Sequence, residues 1–123
     1  MNPNEFFKLT DDSGIYYLRN KLNGKYYIGQ ADKLKKRLRH HVSNVNTNRY
    51  DNPIYRALRK YGWENFEWGI LEIFTDELEL YEDRKKKLDE AEIFYIKKYN
   101  SYGATGYNQT RGGDGGIEGY KFT

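Results

Sequence analysis

Two short β-prone runs lie close together near the start of the chain. Ile15, Tyr16, Tyr17 and Leu18 form the first, and Tyr26, Tyr27 and Ile28 form the second. Between them stands Asn23-Gly24, a pair that readily supplies the positive backbone angles of a tight hairpin turn. The pattern predicts an antiparallel hairpin over roughly residues 14–30. The period then lengthens. Leu34, Leu38 and Val42 recur every fourth residue, which predicts a helix capped by Asp32 and running to about Ser43. Residues 44–52 read as a polar loop. Asn52-Pro53 opens a second short helix, with Ile54, Ala57, Leu58 and Tyr61 as its buried stripe and Gly62 as its C-terminal cap. Phe66, Trp68, Ile70, Leu71, Ile73 and Phe74 read as a third strand, mostly buried. Asp76 and Glu79 offer a capping box for a further helix. The charge run Glu82 to Lys87 is expected to interrupt that helix, which is clear again from Leu88 to Tyr99. Residues 1–12 lack periodicity and read as an arm in which Phe6 and Phe7 dock on the core. Residues 111–123 form a glycine-rich tail expected to be mobile.

At 123 residues the chain fits one domain, here placed at residues 13–110. Mean hydropathy is −1.03, yet 17% of residues are aromatic and 13 are Tyr, so the tyrosines must serve both as core filler and as polar surface. Without cysteine there is neither a disulfide framework nor a thiolate zinc site. No basic segment followed by an apolar run opens the chain, and no apolar stretch is long enough for a bilayer, so a cytoplasmic protein with no membrane contact is expected. The net charge of +3 hides a division. Residues 1–62 carry 13 Lys or Arg against five Asp or Glu, whereas residues 63–123 carry eight against 13. A basic half suggests a face for a polyanion, although a solvated charged surface gives the same counts.

Three polar residues stand out against this background. Glu92 shares the apolar stripe of Leu88, Tyr95, Ile96 and Tyr99, and a carboxylate facing a core is costly unless a cation or strong donors satisfy it. Arg37 and His41 are four residues apart, so they project from one helix face and can converge on one phosphate. Arginine clamps phosphate oxygens through two parallel donors, and histidine exchanges protons near neutral pH. His40 points elsewhere and is given no role.

Gly14-Ile15-Tyr16 and Tyr27-Ile28-Gly29, ten residues apart, resemble the two triplets that name the GIY-YIG nuclease family. The likeness continues with Arg37 ten residues after the second tyrosine, His41 one helical turn later, Glu92 within Glu92-Ile93-Phe94-Tyr95-Ile96, and Gly106-Tyr107-Asn108 near the end. It covers about residues 13–110. The loop 44–52 departs from relatives that carry another functional histidine there, since Arg49 or Tyr50 falls nearby.

The resemblance implies an α+β fold with a small three-stranded antiparallel sheet flanked by helices. It also implies a metal-dependent endonuclease that hydrolyses DNA phosphodiesters, of the phage or mobile-element homing type or a stand-alone nicking enzyme. A restriction or structure-specific repair nuclease, and a catalytically silent DNA-binding module, are the competing readings. Glu92 would hold the divalent cation, Mg²⁺ or Mn²⁺; Arg37 would clamp the scissile phosphate; Tyr16 or Tyr27 would orient or deprotonate the attacking water. His41 and Lys25 are the candidate cations beside that tyrosine. Gly29 and Asn108 would support the site, Asn108 by hydrogen bonds. Lys33, Lys36, Arg56, Arg59 and Lys60 are expected to contact DNA. Relatives of this kind add a separate DNA-binding segment or partner, and a double-strand cut from one site per chain requires a dimer or sequential action.

Overall fold

The computed structural model of the protein describes residues 11–75 and 79–113. Phe6, Phe7 and Asp76 lie outside the described residues. Strands β1 (Ser13–Asn20), β2 (Tyr26–Ala31) and β3 (Phe66–Phe74) form one antiparallel sheet in the order β2-β1-β3. Helices α1 (Leu34–Asn46) and α2 (Pro53–Tyr61) follow the hairpin, and α3 (Tyr81–Tyr99) follows β3. This is the α+β sheet-and-helix arrangement expected from the sequence. Among the described residues no helix is long and apolar enough to cross a membrane.

Register decides what the sheet can present. Tyr16 pairs with Gly29 and Leu18 with Tyr27. Side chains alternate along a strand and directly paired residues share a face, so Tyr16, Leu18, Tyr27 and Gly29 all lie on one side. There Tyr16 packs with Leu34 and Leu38 of α1, and Leu18 packs with Ile54, Ala57 and Leu58 of α2. Ile15 and Ile28 face the other way and pack against Leu88 and Ile96 of α3. The two tyrosines of the hairpin are therefore neighbours on one face.

Several local expectations give way. The first helix runs three residues beyond Ser43, because Val45 joins the buried stripe of Leu34, Leu38 and His41 while Val42 is only half-buried. Residues 44–46 are thus helix, and the polar loop begins after them. Asp32 does not cap α1: its backbone carbonyl and Oδ1 accept from Ser13 Oγ at 2.7 and 3.1 Å. The preceding segment caps instead, with Asp12 O accepting from Leu34 N at 2.9 Å and Asp11 Oδ1 from Lys36 N at 3.2 Å. α2 starts as expected, the Asn52 side chain accepting from Tyr55 N at 2.9 Å, and stops at Gly62 with φ +83°.

β3 is less buried than expected. Only Phe66 is fully enclosed, and Glu72 and Ile73 are exposed, because β3 forms a sheet edge. The charge run does not interrupt α3, which is continuous from Tyr81. Its residues are good helix formers; Glu82 and Asp83 complement the positive N-terminal end, and Lys85 pairs with Asp89 one turn on at 2.8 Å. Glu79 precedes this helix and draws in Arg84 and Lys87.

Candidate active site

A cleft of about 230 Å³ opens along the outer edge of β2. Tyr27 enters it from β2, Arg37 from α1 and Glu92 from α3. Asn52 and Pro53 border it from the start of α2, and residues 107–110 close one end. Three elements that are distant in sequence thus deliver a phenol, a guanidinium and a carboxylate to one polar recess.

Behind Tyr27 lies a buried group of rings. Tyr16 is fully enclosed, and its hydroxyl lies 2.5 Å from His41 Nε2. The rings of Tyr16 and Tyr27 are tilted with centroids 6.3 Å apart, and His41 meets Tyr27 edge-on at 6.2 Å. His41 is itself buried, with Nδ1 2.7 Å from the Tyr55 hydroxyl. Arg37 is exposed where it lines the cleft, and its charge acts on Tyr16. The helical spacing does bring Arg37 and His41 to the same tyrosine, but only Arg37 lines the cleft; His41 stands behind it.

Burial governs the protonation states. Desolvation, reinforced by Tyr27, lifts Tyr16 well above the ordinary phenol value, with Arg37 opposing. Tyr27 is raised chiefly by burial as well, with Arg37 opposing the shift and Glu92 adding to it. Both phenols are protonated at neutral pH. His41 is lowered to about 3, first by burial and then by Arg37 and His40, so its imidazole is neutral. Tyr16 above all raises Arg37 beyond its ordinary value, which keeps the guanidinium charged.

Glu92 is 9% exposed on the opposite wall. Its Oε1 accepts from Gln30 Nε2 at 3.2 Å and from Gly113 N at 3.0 Å. Gln30 is fixed in turn: Nε2 also donates to Asp89 Oδ1 at 2.8 Å, and Oε1 accepts from Lys85 Nζ at 2.7 Å. Gly112 and Gly113 hold positive φ of +92° and +88°, and this start of the tail is seated against α3 rather than free of it. Among the described residues no group of three or more His, Cys, Asp or Glu forms a self-sufficient metal cage. One carboxylate in a wet cleft suits Mg²⁺ or Mn²⁺, which keep waters and take substrate oxygens as remaining ligands.

Asn108 stitches the C-terminal loop to β2. Its Oδ1 accepts from Ile28 N at 2.9 Å and from Ser101 Oγ at 2.7 Å, while Nδ2 donates to Ile28 O at 2.8 Å. Lys25 stays at the hairpin turn, with its backbone N–H on Asn23 Oδ1, and does not line the cleft. The basic residues divide. Lys33, Lys36, Arg56 and Lys60 are exposed, and Arg56 pairs with Asp51 at 2.9 Å. Arg59 instead donates to the backbone carbonyls of Asn44, Val45 and Arg49 at 3.0 to 3.3 Å, tying down the end of α1.

Gln30, Asn44, Tyr55 and Gly113 went unnoticed in the sequence. Gln30 follows the second triplet directly and faces α3 by strand alternation, a signal that strand periodicity does contain. Tyr55 sits among apolar neighbours and reads as plain core until its hydroxyl is placed.

The GIY-YIG catalytic domain model matches residues 12–108. Intron-associated endonuclease 1 of Enterobacteria phage T4 is 35% identical over 97 residues, which cover 78% of this chain and 36% of that protein. The chain therefore spans about a third of that relative's length. Two structures of the catalytic domain of the intron-homing endonuclease I-TevI superpose well. A point mutant gives a TM-score of 0.67 at 33% identity over 81% of this chain and 95% of that one. The other gives 0.65 at 32% identity over 80% and 98%.

Proposed function

Because the chain belongs to the GIY-YIG catalytic-domain family, we propose that it is the hydrolytic domain of a homing-type DNA endonuclease that uses Mg²⁺ or Mn²⁺. The observation that carries this reading is the convergence of Tyr27, Arg37 and Glu92 on one cleft. The likeness to an intron-associated phage enzyme favours the homing type over a restriction or repair nuclease. A silent DNA-binding module would have no use for a carboxylate pinned by two donors in the wall of that cleft.

Hydrolysis requires a water to attack phosphorus as the bond to the 3′ oxygen breaks. Arg37 binds the non-bridging oxygens of the scissile phosphate through its fork of donors and offsets the charge that builds there. Tyr27 presents a phenolic oxygen to the cleft and orients the attacking water. As the phenolate, formed when its own proton is first released to solvent and favoured by the Arg37 charge, it takes the water's proton as the attack proceeds. Tyr16 and His41, out of solvent, hold Tyr27 in place. A cation on Glu92 would neutralise phosphate charge and favour departure of the 3′ oxygen. Gln30 and Gly113 set the direction of that carboxylate, and Asn108 holds the loop that closes the cleft. The exposed Lys33, Lys36, Arg56 and Lys60 extend phosphate contacts beyond it, and a further DNA-binding segment or second copy would supply site selection.

Supercoiled plasmid with Mg²⁺ should be nicked or linearised, and EDTA should abolish the cleavage. Glu92→Gln should eliminate it with the circular dichroism spectrum unchanged. Cleavage by Glu92→Gln at the wild-type rate would remove the metal assignment, and salt-sensitive binding without nicking would leave only a binding module.

A further inference from the structure

A line of polar contacts runs from the surface of α1 to the back of Tyr16, and the reaction just described does not use its outer half. Asn44 Nδ2 donates to the Tyr55 hydroxyl at 3.1 Å. Tyr55 Oη lies 2.7 Å from His41 Nδ1, and His41 Nε2 lies 2.5 Å from Tyr16 Oη. Tyr16, Tyr55 and His41 are 0%, 4% and 2% exposed. Each of these three neutral groups has one mobile proton to place, so the line can be polarised in only two ways.

The ends select between them. An amide nitrogen donates and does not accept, so Tyr55 Oη is the acceptor toward Asn44. Its own proton then goes to the other partner, His41 Nδ1. A neutral imidazole with a bare Nδ1 carries its proton on Nε2, and that proton points at Tyr16. Tyr16 Oη accepts that proton, so its own hydroxyl proton turns away from His41. The ring of Tyr27 packs beside that of Tyr16, with the centroids 6.3 Å apart.

We infer that Asn44 and Tyr55 are positioning residues that lock His41 in its Nε2–H tautomer and thereby turn the Tyr16 hydroxyl proton away from His41, leaving it available beside Tyr27. The consequence for catalysis rests on the nuclease reading: a Tyr16 proton left available beside Tyr27 would stabilise a Tyr27 phenolate more than its phenol and favour it as acceptor for the proton of the attacking water. Reversal of the line would point the Tyr16 proton at His41 and withdraw that support.

The tautomer can be read without substrate. Long-range ¹H–¹⁵N correlation on ¹⁵N-labelled protein at neutral pH, with His40→Gln to remove the other imidazole, should show His41 protonated at Nε2 and bare at Nδ1. Protonation at Nδ1 would overturn the inference. Asn44→Asp replaces the terminal donor by an acceptor, so Tyr55 should turn its proton outward and His41 should flip to Nδ1–H. Plasmid nicking should then fall in kcat on the order of tenfold or more with KM unchanged. Asn44→Gln, which keeps a donor, should restore both tautomer and rate. Tyr55→Phe provides a second variant, expected to yield mixed tautomers. An Nε2–H signal unchanged in both Asn44→Asp and Tyr55→Phe would equally overturn the inference. A wild-type chain that shows the Nε2–H tautomer but does not nick DNA would defeat the nuclease reading alone.

Discussion

Gly29 lies directly across the hairpin from Tyr16, and a methyl group on Gly29 would overlap the Tyr16 ring and hydroxyl. The last residue of the second triplet is therefore the space into which the tyrosine of the first triplet leans. That lean carries the hydroxyl to His41 and leaves Tyr27 in front of it.

Gly29→Ala should displace Tyr16 and break its bond to His41. Overpacking of this kind typically costs about 1–3 kcal/mol. Urea unfolding should report that loss, and nicking should fall further than stability explains. A variant with wild-type cleavage would show that the site tolerates a moved Tyr16.

The orientation of Glu92 depends on Gln30, which Lys85 and Asp89 hold in turn. Gln30→Ala should raise the Mg²⁺ concentration needed for half-maximal nicking by about 10- to 100-fold, the usual cost of losing such a support. Saturating Mg²⁺ should recover most of the rate. An unchanged metal titration would mean that contacts other than Gln30 position the carboxylate.

The hairpin, its turn and the second helix were legible in the sequence because local rules decide them: Asn-Gly for the turn, Asn-Pro and a four-residue apolar stripe for the helix. The ordered set Tyr16, Tyr27, Arg37, His41 and Glu92 was visible through the resemblance to the GIY-YIG family. What the sequence concealed was depth. Periodicity placed Arg37 and His41 on one face of α1 but not the fact that four residues along that helix pass from the rim of the cleft to the core. The basic half of the chain offers Arg59 as a contact for DNA, and only tertiary structure shows its guanidinium occupied with three carbonyls. The continuity of α3 was likewise hidden, since a charged surface on a half-exposed helix has no apolar period to detect.

Burial holds His41 at about 3, against 6.5 for an ordinary imidazole. Between those values the unfolded chain binds a proton that the folded chain refuses. The contribution of neutral His41 to stability is therefore complete above pH 6.5 and falls as pH drops toward 3, by at most about 1.4 kcal/mol per pH unit. The difference in unfolding free energy between wild type and His41→Leu should shrink over pH 6.5 to 5. Parallel curves would place the imidazole in a wetter environment.

Arg59→Met should destabilise the protein by about 1.5–3 kcal/mol, the range for hydrogen bonds from a charged donor, and leave the salt dependence of DNA binding unchanged. Lys36→Ala should do the reverse, preserving the melting temperature and reducing the slope of log K against log salt by about 1. Equal effects of the two on that slope would return Arg59 to the DNA-contacting set.

Asn108 has one further effect. Tyr26 O is taken by Tyr107 N, and both backbone groups of Ile28 are taken by the Asn108 amide, so the rim of β2 offers no ladder for an incoming strand. The sheet is finished on the side of the cleft. Among the described residues the other border of the sheet is β3, where Glu72 and Ile73 are exposed.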